Sequence, residues 1–158
     1  LEKVLKEDDC ETIIVESFTK YVEQVFTLAS NSFKGYDIWA FYNRTIRNML
    51  DSIKNDKATI IFTAVDDIVK IPQVTGGESS NRRVKVQGKV HEGAVEKEFL
   101  MVLFTEVRKN EKTDKMEYFF QTNTDGVTSA KTPMGMFDKQ LIPNDIVEVL
   151  STVEEYYA

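Results

Sequence analysis

Histidine and cysteine are nearly missing: His91 and Cys10 are the only examples in 158 residues. One thiol closes no internal disulfide, and without a Cys/His set there is no structural zinc. Positive charge is in deficit, with 20 Lys and Arg against 26 Asp and Glu and a net charge of -6. Counterion release on a phosphate backbone needs a basic surface, so no direct nucleic-acid contact is expected. Apolar runs are short, four to six residues at most, against roughly 20 for a bilayer-crossing helix. What is present is ordinary for a folded domain: 42% apolar and 29% charged residues, a balance that argues against disorder. A chain of this size buries roughly 68–70% of its unfolded surface, so residues 1–158 are expected to form one domain. The opening Leu1-Glu2-Lys3 lacks an initiator methionine. That suggests a segment of something longer, with any signal peptide or anchor cut away.

Helical periodicity fills the first third, over about residues 8–54. Ile14, Phe18, Tyr21, Val22, Val25, Phe26 and Ala29 follow the stripe of one helix face,. Asp8 with Glu11 reads as a capping box whose acidic start suits the helix dipole. The helix is expected to stop near Ser30 and Asn31, with Gly35 as punctuation. A second helix follows Asp37 as N-cap and turns Ile38, Phe41, Tyr42, Ile46, Met49, Leu50 and Ile53 inward.

From Ala58 the period falls to two, and a sheet is expected over about residues 58–130. Residues 58–65 read as a strand that continues over 68–71 past a break at Asp66-Asp67,. Residues 72–82, with Gly76-Gly77, read as a flexible loop. Over 83–90, Val84, Val86 and Val90 alternate with Arg83, Lys85, Gln87 and Lys89, the pattern of a half-exposed antiparallel strand. Its valines are expected to rest on the helix bearing Phe18, Val22 and Val25. A tight turn at 91–94, a long strand over 95–108 and another over 116–124 complete a meander. Residues 144–157 form a final amphipathic helix with Asn144 as cap,. This order predicts an α+β fold, N-terminal helices packed on a curved antiparallel sheet, with a C-terminal helix. A long sheet wrapped around helices is the cystatin-like cone, the nuclear transport factor two-like fold. Such a fold hosts enzymes, binding modules and scaffolds alike, so it does not decide function.

The inventory for catalysis is thin. His91 is expected in a solvated turn, where a general base would be unpositioned. Cys10 sits among Asp8, Asp9 and Glu11, whose charge disfavours a thiolate. Asp66 and Asp67 point to opposite faces of an extended strand, so they do not converge on a metal. Gly76-Gly77 lacks the lysine and helix start of a phosphate loop. The Asn43-Arg44-Thr45 sequon falls inside a predicted helix and reads as coincidence. No catalytic residue, cofactor site or metal site is assigned. Tyr36, Trp39, Phe41 and Tyr42 fill the core or line a ligand pocket, with core filling favoured. Trp39 lies about a quarter-turn off the Ile38–Tyr42–Ile46 stripe and is expected at an interface. The Arg83, Lys85 and Lys89 face is expected to pair with Glu92, Glu96 and Glu98 across the turn.

After the predicted meander comes Thr132-Pro133-Met134-Gly135-Met136. The order of elements with this motif resembles the periplasmic domain of the bitopic inner-membrane assembly factor of type IV secretion and conjugation machines. Pro133 and Gly135 match that family's Asn-Pro-x-Gly, with Thr132 in place of Asn. The resemblance implies a non-enzymatic, dimerising scaffold on the outer side of the bacterial cytoplasmic membrane. Its partners would be other protein components of a secretion channel, and its membrane link an N-terminal anchor. Thr132, Pro133, Met134, Gly135 and Met136 would form the contact surface, with Trp39. The alternatives are a small-ligand-binding protein or an isomerase or dehydratase of the same cone, with Tyr42 and Asp37 as the nearest acid or base, or a cytosolic interaction module.

Overall fold

A computed structural model describes residues 11–54, 58–72, 74 and 76–158. Asp8 and Cys10 lie outside the described residues. The chain divides into two compact units, one of residues 1–67 with 84–98 and one of 68–83 with 99–158. The architecture is α+β, with small separate sheets and a C-terminal helix.

The first unit opens with a strand where helical spacing was expected. Strand β1, Thr12–Val15, is four β-branched residues in a row, and such side chains favour the pleated surface over the helix. Ser17 then caps helix α1, Phe18–Ser32, its side chain accepting from the Lys20 N–H at 3.2 Å. Helix α2, Tyr36–Ser52, starts after Gly35, whose φ of 59° an L-residue disfavours,. Asp37 therefore sits in the first turn rather than at the cap, where its charge still suits the dipole,. The two helices carry the chain back to β2, Thr59–Phe62, which pairs with β1 in parallel from Thr12 opposite Thr59 to Val15 opposite Phe62. Parallel neighbours need such a crossover connection. Phe18, Val22, Val25 and Ala29 of α1, with Tyr42, Ile46 and Leu50 of α2, are the buried faces.

Residues 84–98 correct the expected hairpin. The alternating valines do not form one face of a strand: strand structure ends at Val84, and Val90 is 64% exposed. The backbone instead follows other partners. Lys85 N–H donates to the Val65 carbonyl at 2.9 Å and Gln87 N–H to the Tyr42 hydroxyl at 3.2 Å. Gly88 then turns with φ of 77° into 3-10 turns at Lys89–His91 and Glu96–Glu98. Oε1 of Glu96 accepts from the Val84 N–H at 2.9 Å.

Strand β3 (Asp66–Pro72) pairs with β4 (Glu78–Val84), so residues 78–82 of the expected flexible loop are strand. Strands β5 (Phe104–Lys109), β6 (Met116–Gln121) and β7 (Leu141–Pro143) form an antiparallel sheet with Phe104 opposite Gln121 and Phe120 opposite Ile142. Asp125 organises the turn after β6, its carboxylate accepting from the Val127 and Thr128 N–H groups at 2.9 and 3.0 Å. Helix α3, Ile146–Tyr157, is capped by Asp145 rather than Asn144. The cap residue accepts from Val147 and Glu148 N–H. In place of the one long curved antiparallel sheet that was expected, the described strands fall into three small sheets, one of them parallel. No helix of the described residues is long and apolar enough to cross a membrane.

Candidate functional site

Parallel strands joined through helices bind their ligands at the carboxyl ends of the strands. Strand β1 ends at Val15 and runs into Glu16 and Ser17; β2 ends at Phe62 and runs into Thr63. Backbone bonding continues past both ends. Thr63 N–H donates to the Val15 carbonyl at 3.1 Å, and Phe18 N–H donates to the Thr63 carbonyl at 2.8 Å. The two exits are therefore side by side. Just beyond them, Val65 N–H donates to Oγ1 of the buried Thr19 at 2.9 Å. Ser17 is occupied as a helix cap, whereas Glu16 and Thr63 are exposed.

This edge offers one carboxylate and one hydroxyl to a ligand in front of it. No group of three or more His, Cys, Asp or Glu converges on a metal site among the described residues. A magnesium ion does not require one, since it is commonly held through one or two carboxylates, the substrate's phosphates and water. Glu16 thus fits a cation shared with a phosphorylated ligand and does not fit a protein-enclosed metal cage. The phosphate loop G-x-x-x-x-G-K-[ST] does not occur in the 158 residues,.

His91 is not in a solvated turn. It is buried, with Nε2 at 2.9 Å from Asn43 Oδ1 and its ring edge-on to Tyr42 at 5.6 Å. An amide oxygen only accepts, so Nε2 carries the proton. Burial, aided by the charge of Arg47, lowers the His91 pKa from its ordinary value and keeps the ring neutral,. Beside it, Arg47, Leu50, Asp51, Val90, Ala94 and Glu98 line a cleft of about 110 Å³. Lys54 bridges two of these walls, at 2.9 Å from Asp51 and 3.1 Å from Glu98.

The residues singled out as contacts are not alike. Trp39 packs on Phe26 at 5.1 Å and edge-on to Tyr42 at 6.2 Å, with 37% of its surface exposed. Tyr42 is fully buried and its hydroxyl accepts from Gln87, so it is structural, with its pKa raised by burial. In the second unit, Met136 N–H closes a turn on the Pro133 carbonyl at 3.2 Å, with Gly135 at φ of 78°. Met134 projects outward, 93% exposed, while its carbonyl accepts from the Tyr156 hydroxyl at 2.9 Å. Met136 is buried, and Thr132 and Pro133 are half-buried. Glu16 and Thr63 were missed. Their signal was the repeated Thr-Ile-Ile that opens both parallel strands, the first strand ending at Val15 and followed by an acid and a helix-capping serine.

A carboxylate-bearing residue at the end of one parallel strand thus stands next to a hydroxyl-bearing residue at the exit of its neighbour. The family described as AAA domain matches residues 5–134, most of the chain, and the chain belongs to that family. Neither a search of curated proteins nor one of solved structures gives a match. The family membership overturns the resemblance to a secretion-system assembly factor. With it go the type IV secretion and conjugation role and the reading of the chain as a non-enzymatic scaffold. Pro133 and Gly135 make a local turn whose two residue types are common in turns, so the motif carried no family information,.

Proposed function

We propose that this chain forms the acidic catalytic edge of an AAA-type nucleoside triphosphatase. Glu16 holds the magnesium ion that accompanies the triphosphate, directly or through its water, and Thr63 offers its hydroxyl to the terminal phosphate. The observation that carries this is the pairing of the two strand exits, which places an acid and a hydroxyl together on one carboxyl edge. Family membership supports it. When bound, the ion would neutralise charge that develops on the phosphoryl oxygens during transfer. The chain's own part is to keep Glu16 exposed and fixed relative to Thr63.

The test is magnesium-dependent hydrolysis by the intact protein. Glu16→Gln keeps the shape and removes the charge, and turnover is expected to fall about 100-fold or more, as when a transition-state stabiliser is lost. Nucleotide binding without magnesium should be unchanged. Wild-type turnover in Glu16→Gln would refute the assignment.

A further inference from the structure

We infer that Thr19 is the positioning residue of this edge, holding the segment that bears Thr63 in register with Glu16. The inference rests on the function proposed above and adds the means by which the site keeps its geometry. Residues 63–65 have left the β ladder, and Thr63, Ala64 and Val65 are all exposed. Exposed irregular backbone next to a reacting group needs a clamp, because small displacements at a reacting centre are costly in rate. The first turn of α1 provides it. Phe18 N–H reaches the Thr63 carbonyl at 2.8 Å, and Thr19 Oγ1 receives the Val65 N–H at 2.9 Å.

These two bonds grip the segment at both ends and tie it to the helix that starts directly after Glu16 and Ser17. Thr19 is only 6% exposed, so its hydroxyl is set by packing. A Val65 N–H deprived of that oxygen finds no equivalent backbone acceptor in a helix turn whose carbonyls serve the helix. Threonine is otherwise a modest choice in a helix. Here its hydroxyl serves the neighbouring loop while its methyl packs. It touches no substrate, so its effect on rate acts wholly through Thr63 and Glu16.

Thr19→Val removes the hydroxyl and keeps the shape; Thr19→Ser keeps the hydroxyl. In the intact protein, Thr19→Val is expected to lower kcat about tenfold to a hundredfold, with KM for the nucleotide within about twofold, since Thr19 itself makes no contact with the nucleotide. Hydrogen exchange at the Val65 amide should accelerate in the same variant. Thr19→Ser should restore both kcat and the slow exchange, even where its thermal midpoint stays lower through the lost methyl. Rapid exchange with unchanged kcat in Thr19→Val overturns the inference while leaving the acidic edge intact, as Glu16→Gln measured alongside would show. Unchanged exchange and unchanged kcat also overturn it. A wild-type protein that neither binds nor hydrolyses nucleotide overturns both readings.

Discussion

Replacing Gly88 with alanine adds one methyl group directly against the Trp39 ring. An ideal Cβ at this position lies 2.7 Å from Trp39 Cζ3, 3.3 Å from Cε3 and 3.4 Å from Cη2. The ring has little room to retreat, since Phe26 and Tyr42 pack on it with centroids at 5.1 and 6.2 Å. Two costs add. Placing an L-residue at positive φ costs about 1–2 kcal/mol, and forcing a methyl into a packed contact costs about 1–3 kcal/mol. Gly135 serves as the contact-free comparison, because it too has a positive φ, 78° against 77°, while nothing lies within 4 Å of its added Cβ. Gly135→Ala should therefore cost only the backbone part, about 1–2 kcal/mol, and Gly88→Ala about 2–5 kcal/mol. Urea unfolding measures both, by far-ultraviolet dichroism and, for the first unit, by the fluorescence of Trp39, the single tryptophan. The double variant Gly88→Ala with Trp39→Leu should recover the packing part and leave the backbone part. Should Gly88→Ala prove no more costly than Gly135→Ala, the close approach is not what holds the chain there.

His91→Ala should destabilise the protein by about 1–3 kcal/mol, because it empties the buried His91 position and leaves the half-buried Asn43 oxygen without its donor,; a change near zero in a urea titration would return His91 to the surface. The lowered pKa of His91 also fixes a sign: between its folded value and 6.5 the unfolded chain binds the extra proton,. Stability is thus complete above about pH 6.5 and declines as pH falls below it, and His91→Gln should remove that decline. Asp125 is held at a pKa of about 2 against 3.8, chiefly by the Thr128 and Val127 N–H groups. Its contribution is present above about pH 4 and is lost as pH falls towards 2. Asp125→Ala should lower stability at neutral pH and flatten acid unfolding over that window, and an unaltered acid slope would show that the turn does not depend on the charge.

The amphipathic helices were legible along the chain itself. Phe18, Val22, Val25 and Ala29, then Tyr42, Ile46 and Leu50, are buried in the positions their spacing predicts, because a helix makes its own hydrogen bonds and its inner face is a local property of the sequence. The same holds for α3 and for the β5–β6 pair, whose short turn joins neighbouring segments. What escaped was non-local. Ile14 and Phe18 are four apart, so the segment before α1 satisfied helical spacing, and only the arrival of β2 as a parallel partner makes Thr12–Val15 a strand. Val84, Val86 and Val90 alternate as a strand should, but Gly88 turns the chain against Trp39, and Tyr42 and Val65 supply the hydrogen bonds a second strand would have given. Glu16 is the plainest case. As a residue it is one acid among 26 Asp and Glu; its place at the edge of two paired strands, beside Thr63, exists only once residues distant in the chain share a backbone ladder. Periodicity records which face of an element is buried, and it does not record which other element buries it or what comes to stand beside it.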